Sequence, residues 1–191
     1  GLISSFRVFN IGLDLDPISR AEYEQASKDF DDTFDIFKDS RGYRNIQILF
    51  KCLNPGFFKH YCMSQGMGPD EYNLVKRWPY KCKDAMNMRK TILYKAACKQ
   101  DAIKDIIEMF PDRRGIIFSQ SIDFVEQLKE TVDIIDEDIS HTYHSKVSKK
   151  IRKERLDDFN DLSTPSRIII SASALNEGVN LENISLAIIA S

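Results

Sequence analysis

The chain has 191 residues, of which 42% are hydrophobic and 29% charged, with 27 Lys and Arg against 29 Asp and Glu and a formal charge of −2. This composition is that of a globular chain long enough to bury a sizeable core, and it excludes collagen-like, low-complexity and highly charged disordered classes. No apolar run approaches the roughly 20 residues a membrane span needs.

The first residues lack the basic-then-apolar plan of a signal peptide. Phe6 to Leu15 alternates through Phe6, Val8, Ile11 and Leu13, which predicts a strand. Pro17 then opens a predicted helix carrying Tyr23, Ala26, Phe30, Phe34 and Phe37. This stretch is acidic: nine acids against three bases lie between Asp14 and Asp39. From Arg41 to Lys83 the pattern reads as short helices, with Gly66-Met67-Gly68-Pro69 breaking two of them. Residues 17–86 therefore read as a helical insertion behind the first strand.

Four cysteines occupy positions 52, 62, 82 and 98. With His60 three of them offer zinc-ligand chemistry, but the spacing fits no usual finger, and four reduced thiols are the expectation. The stretch "VKRWPYKCKDAMNMRK" interleaves Lys76, Arg77, Lys81, Lys83, Arg89 and Lys90 with Trp78 and Tyr80. Cations beside aromatics suit stacking on single-stranded bases, which makes Trp78 a candidate; an anchoring role for both rings fits the same pattern.

From Asn87 the pattern changes. Ile92, Leu93, Ala96, Ile103, Ile106, Ile107 and Phe110 predict a helix that Pro111 stops. Gly115–Phe118 is a short apolar run typical of a strand buried on both faces. Ser121 is placed to cap a helix whose apolar side is Ile122, Val125, Leu128 and Val132. Ile139–Tyr143 is the next expected strand, followed by a helix marked by Val147, Ile151, Leu156, Phe159 and Leu162. Arg167–Ser171 and Leu186–Ile189 are two further buried-strand runs, the second after a turn containing Gly178. Strand and helix alternate, so the expected class is α/β, a parallel sheet with helices on both faces.

In such sheets ligands bind outside the carboxyl ends of the strands. The residues there are Ser119-Gln120-Ser121, His144-Ser145-Lys146 and Ser171-Ala172-Ser173. Small polar residues at helix starts suit phosphate, and they also serve as plain caps. Six bases against Glu154 alone lie between Ser145 and Arg155; opposite Ile151, Leu156 and Phe159 they fit a solvated helix face.

Three segments together, "RRGIIFSQSIDFVEQL", "HSKVSKKIRKERLDDFNDLSTPSRIIISAS" and "ALNEGVNLENISLAII", resemble the second RecA-like lobe of superfamily 2 helicases and translocases, around its motifs IV and V. The helix between them has the family's Arg-x-x-x-Leu-x-x-Phe pattern from Arg152 to Phe159, with Arg155 nearer the usual arginine. The opening residues resemble the strand and helix that lead into this lobe. The likeness covers 87–191 and, loosely, 1–16; its nearest flavour is the DNA-dependent phage and repair branch.

The resemblance implies contacts to the sugar–phosphate backbone from Ser119, Gln120, Ser171 and Ser173, with His144 and Lys146 added from their place after a strand. It implies an interlobe ATP site touched by Glu177, Gly178 and Asn180, where Asn180 replaces the more usual Asp. ATP and Mg would be held mainly by a first RecA-like lobe, the implied protein partner, with DNA rather than RNA as the nucleic acid. The family's Gly-Lys-Thr/Ser loop does not occur in these residues, and the chain stops before the position of motif VI. The expectation is half of a motor that does not hydrolyse ATP alone; the competing expectation is a non-catalytic RecA-like module that binds nucleic acid or protein.

Overall fold

A computed structural model describes residues 7–172 and 181–190. It divides the chain into two compact units, Pro17–Leu93 and a second made of Gly1–Asp16 with Tyr94–Ser191.

The first unit is helical. It contains α1 (Pro17–Phe34), α2 (Ile46–Cys52), α3 (Pro55–Ser64), α4 (Pro69–Val75) and α5 (Trp78–Tyr94), whose last residue belongs to the other unit. Local chemistry sets the boundaries. The Asn45 side chain accepts from the Gln47 N–H and that of Asn54 from the Phe57 N–H, with Pro55 in the first turn. Gly66 has φ +84°, which suits glycine at the end of α3, and Glu71 accepts the Gly68 N–H at 2.7 Å to start α4.

The core of this unit is aromatic and sulfur-rich. Phe34, Phe37, Leu49, Cys52, Phe58, Cys62, Val75 and Cys82 are buried together. Ring centroids run from Phe30 to Phe34 at 4.6 Å, to Phe37 at 6.3 Å, to Phe58 at 5.9 Å and to Tyr72 at 6.0 Å. Phe34 and Phe37 thus face the core of this unit. Burial pushes the Cys52 thiol up to about 12, with Cys62 adding to the effect, and raises Cys62 and Cys82 as well.

The second unit holds α6 (Ala97–Met109), β1 (Gly115–Ser119), α7 (Ile122–Asp133), β2 (Ser140–Tyr143), α8 (Lys149–Asn160), β3 (Ile168–Ala172) and β4 (Leu186–Ala190). All pairs are parallel in the order β2-β3-β1-β4. The period of two explains the apolar runs. Ile117, Ile168, Ile170 and Ala172 meet Phe124, Val125, Leu128 and Val132 of α7 on one face, with Ile103 and Ile107 of α6. Ile116, Tyr143 and Ile169 meet Phe159 and Leu156 of α8 on the other. Gly115 sits where β1 passes between its neighbours; a Cβ there would lie 3.3 Å from both Ile168 Cδ1 and Leu186 Cβ.

Two expectations are corrected. Residues 7–16 form no strand among the described residues, and Val8 and Phe9 are 71% and 78% exposed. Alternation supplies a face, but a strand also needs a paired neighbour, and Asn10 and Gly12 disfavour the conformation. The helix expected from Asn87 to Phe110 is two helices, broken at Lys95 and Ala96, where the chain passes from one unit to the other. Nothing in the local residues marks that break, since Ala96 caps α6 without a side-chain acceptor.

β2 is an outer strand, and one arginine closes its edge. Arg167 and Ile168 both donate to the Ile139 carbonyl, which turns that carbonyl toward β3. Carbonyls alternate along a strand, so that of Thr142 points outward. Arg155 of α8 donates to it at 2.7 Å and to Thr142 Oγ1 at 2.8 Å. An open row of backbone acceptors invites another strand, and a guanidinium blocks it. Arg155→Ala should lower stability by about 1–3 kcal/mol, because it orphans a buried hydroxyl and a carbonyl together; a denaturant midpoint equal to wild type would refute this. A second expected outcome concerns thiols: half-buried Cys98 should react with a thiol reagent at neutral pH well before buried Cys52, Cys62 and Cys82. Equal rates for all four in the folded chain would contradict the packing.

Candidate nucleic-acid interface

Parallel pairing brings the ends of β1, β2 and β3 to one edge of the sheet. The expected contact residues there divide by exposure. Ser119 is buried, and its Oγ accepts from the Ser121 N–H at 3.2 Å. Ser121 in turn caps α7 by accepting from the Phe124 N–H at 3.2 Å. Both hydroxyls therefore shape the β1–α7 turn. Gln120, between them, is exposed, and its side-chain oxygen accepts from the Tyr94 hydroxyl at 2.6 Å. Its amide N–H groups are not used by that bond.

After β2 the pattern repeats. The His144 ring is buried, and its Nε2 pairs with Glu126 of α7. Its Nδ1 is buried without a partner. His144 accepts through its carbonyl from the Val147 N–H at 3.1 Å, closing a tight turn. Ser145 and Lys146, at the tip of that turn, are exposed. Ser148 caps α8 by accepting from the Ile151 N–H at 3.3 Å. The exposed cations of α8, Lys149, Lys150 and Lys153, follow at once, and Arg152 lies over the Tyr143 ring at 5.3 Å. These side chains line a cavity with Tyr143 at its wall.

Ser171 is fully buried, and its Oγ has no hydrogen-bond partner. It pairs in register with Tyr143 and Phe118, on the α8 side of the sheet. Ser173, Glu177, Gly178 and Asn180 lie outside the described residues, so no described side chain is assigned to ATP or Mg. No group of three or more His, Cys, Asp or Glu side chains suited to a metal ion occurs among the described residues.

Trp78 belongs to the helical unit. It opens α5, is half-buried and packs against the aromatic core. Tyr80 is half exposed, and its hydroxyl donates to the Leu53 carbonyl at 2.8 Å. The edge thus offers to solvent Gln120, Ser145 and Lys146. Sequence reasoning missed two residues that hold them. Tyr94 and Glu126 lie 26 and 18 residues from their partners, and no local pattern links them.

Residues 98–191 match the family model described as the helicase conserved C-terminal domain. No curated protein matches the chain. Among solved structures, the chain is similar to the SWI2/SNF2 ATPase C-terminal domain of Sulfolobus solfataricus, with a TM-score of 0.63 and 15% identity over 96% of this chain and 71% of that one. It is also similar to the Hef helicase domain of Pyrococcus furiosus, with a TM-score of 0.68 and 11% identity over 99% of this chain and 50% of that one. The C-terminal part of the Fun30 ATPase domain gives 0.55 and 15% over 94% and 73%. These overlaps take in most of residues 17–86, which the sequence resemblance does not reach.

The packing of Trp78 sets a test between its two expected roles. Trp78→Ala should lower the stability of the helical unit by about 2 kcal/mol, below the range for a fully buried ring, and leave DNA affinity within twofold. A folded variant with unchanged melting and weakened binding would restore the stacking role.

Proposed function

We propose, for a chain that carries the C-terminal RecA-like lobe of a superfamily 2 helicase, that this lobe tracks the DNA backbone in an ATP-dependent helicase or translocase. The observation that carries the reading is the carboxyl edge of the sheet, where Gln120 after β1 and Ser145 and Lys146 after β2 are exposed, each set beside a capped helix start. Amide, hydroxyl and ammonium groups at such an edge hold phosphates without reading bases, which is what a motor that steps along any sequence requires.

ATP and Mg would be held mainly by a first RecA-like lobe, with Glu177, Gly178 and Asn180 as this chain's contribution. Phosphoryl transfer rests on a phosphate loop, a metal and a positioned cation. The 191 residues contain no Gly-Lys-Thr/Ser sequence, so this lobe's part is to grip and to move rather than to cleave. The α8 cations add a second row of positive charge behind Lys146 and would steer the duplex or strand toward the edge.

The test is fluorescence anisotropy of labelled single- and double-stranded oligonucleotides against salt. Lys146→Ala should weaken binding to all sequences alike and flatten the salt dependence by roughly one phosphate, a slope change of about 0.7–0.9. Wild-type binding that is absent, or indifferent to salt, would defeat the reading.

A further inference from the structure

We infer that Glu126 is a positioning residue for nucleic-acid binding, acting through His144 on the turn that carries Lys146. The inference rests on the functional reading above and adds to it a residue on a different helix.

Glu126 lies one turn into α7, and its side chain is 51% exposed. It stands on the carboxyl side of the sheet, the last place where a phosphate-binding surface gains from an acid. Its carboxylate meets His144 Nε2, whose side chain is only 4% exposed. His144 follows β2 directly and lies on the α7 face, since Thr142 pairs with Ile170 of the α7-facing layer and side chains alternate. The bond therefore crosses from helix to strand end and fixes the ring. With Nε2 committed to the carboxylate, Nδ1 has no partner, so Glu126 is the sole polar tether of this ring among the described residues.

The ring is the base of the turn. The His144 carbonyl holds the Val147 N–H, and only Ser145 and Lys146 lie between. Fixing His144 thus fixes where the turn stands and where Lys146 extends. At this end of α7 the other acid, Asp123, pairs with Lys95 at 3.3 Å, while Asp133, at the far end of the helix, pairs with Lys129 and accepts from Ser140 Oγ at 2.6 Å. Glu126 alone spends its charge on the turn.

Charge and position make opposite forecasts. If only charge mattered, removing an acid beside phosphates would tighten binding. Positioning requires the reverse. Using the full 191-residue chain and a labelled oligonucleotide, Glu126→Ala should weaken binding about fivefold, the order of one exposed charge pair. Glu126→Gln keeps an oxygen acceptor for Nε2–H without the charge, and should bind as tightly as wild type or tighter. Glu126→Ala combined with Lys146→Ala should be no weaker than Lys146→Ala alone, because both act on one contact.

Binding by folded Glu126→Ala equal to or tighter than wild type overturns the inference, as does additivity in the double variant. Should Glu126→Ala fail to fold, Glu126→Asp decides: it retains the charge and draws the carboxylate back by one methylene, so weaker binding supports positioning and unchanged binding refutes it. If the wild-type chain shows no salt-dependent binding, the functional reading fails and this inference falls with it. If wild type binds and only the Glu126 forecasts fail, the functional reading stands.

Discussion

Burial of β3 on both faces is the constraint on which the second unit depends. Ile168, Ile169 and Ile170 are all fully buried, which requires a helix layer on each side. Here those layers are the helices of the crossovers that parallel strands require. Parallel strands end together, so every β–α turn lands on one edge. The edge proposed to meet phosphate thus follows from the same parallel arrangement that hides three isoleucines. The serines at the turns serve that geometry first. Ser119 and Ser121 spend their hydroxyls on the β1–α7 turn, and Ser148 on α8.

This explains what the sequence made legible and what it did not. The runs Gly115–Phe118 and Arg167–Ser171 and the Ser121 cap are local signals, and the strands and helix appear where they point. Residues 7–15 carry an equally good alternation and form no strand among the described residues, because pairing is not a local property. The break at Lys95 and Ala96 is invisible for the same reason: it reflects a change of unit, not a change of propensity. The edge was legible as a set and misleading one residue at a time. Ser171 and His144 occupy strand-end positions, yet both are buried. Which strand-end residue reaches solvent depends on the alternation of faces and on the helix above, and only the fold supplies that.

The outer edge of β2 shows the same economy of parts. Arg155 belongs to a helix whose row of bases reads as a solvated face, and Lys149, Lys150 and Lys153 are so placed. Arg155 instead turns inward around the strand to Thr142, while Asp158 of the same helix reaches His141 Nε2 at 2.5 Å. Two side chains about one turn apart on α8 therefore fasten both the backbone and a side chain of the strand beside it. Both bonds to Thr142 come from Nη1 of Arg155, so one guanidinium nitrogen satisfies a backbone and a side-chain oxygen together.

Buried polar atoms without partners sharpen the comparison between the two faces. His144 Nδ1 lies on the α7 side and Ser171 Oγ on the α8 side of the same sheet end. An unmatched buried group costs about 1–3 kcal/mol, so each is a standing cost to the folded lobe. The other ring nitrogen of His144 is held by Glu126, whose carboxylate would otherwise be a liability beside the proposed phosphate contacts. A site selected for electrostatics alone would carry no acid there. A site selected for the placement of one ammonium group on a short turn has a use for it, because a lysine on a loosely held turn spends its charge on water.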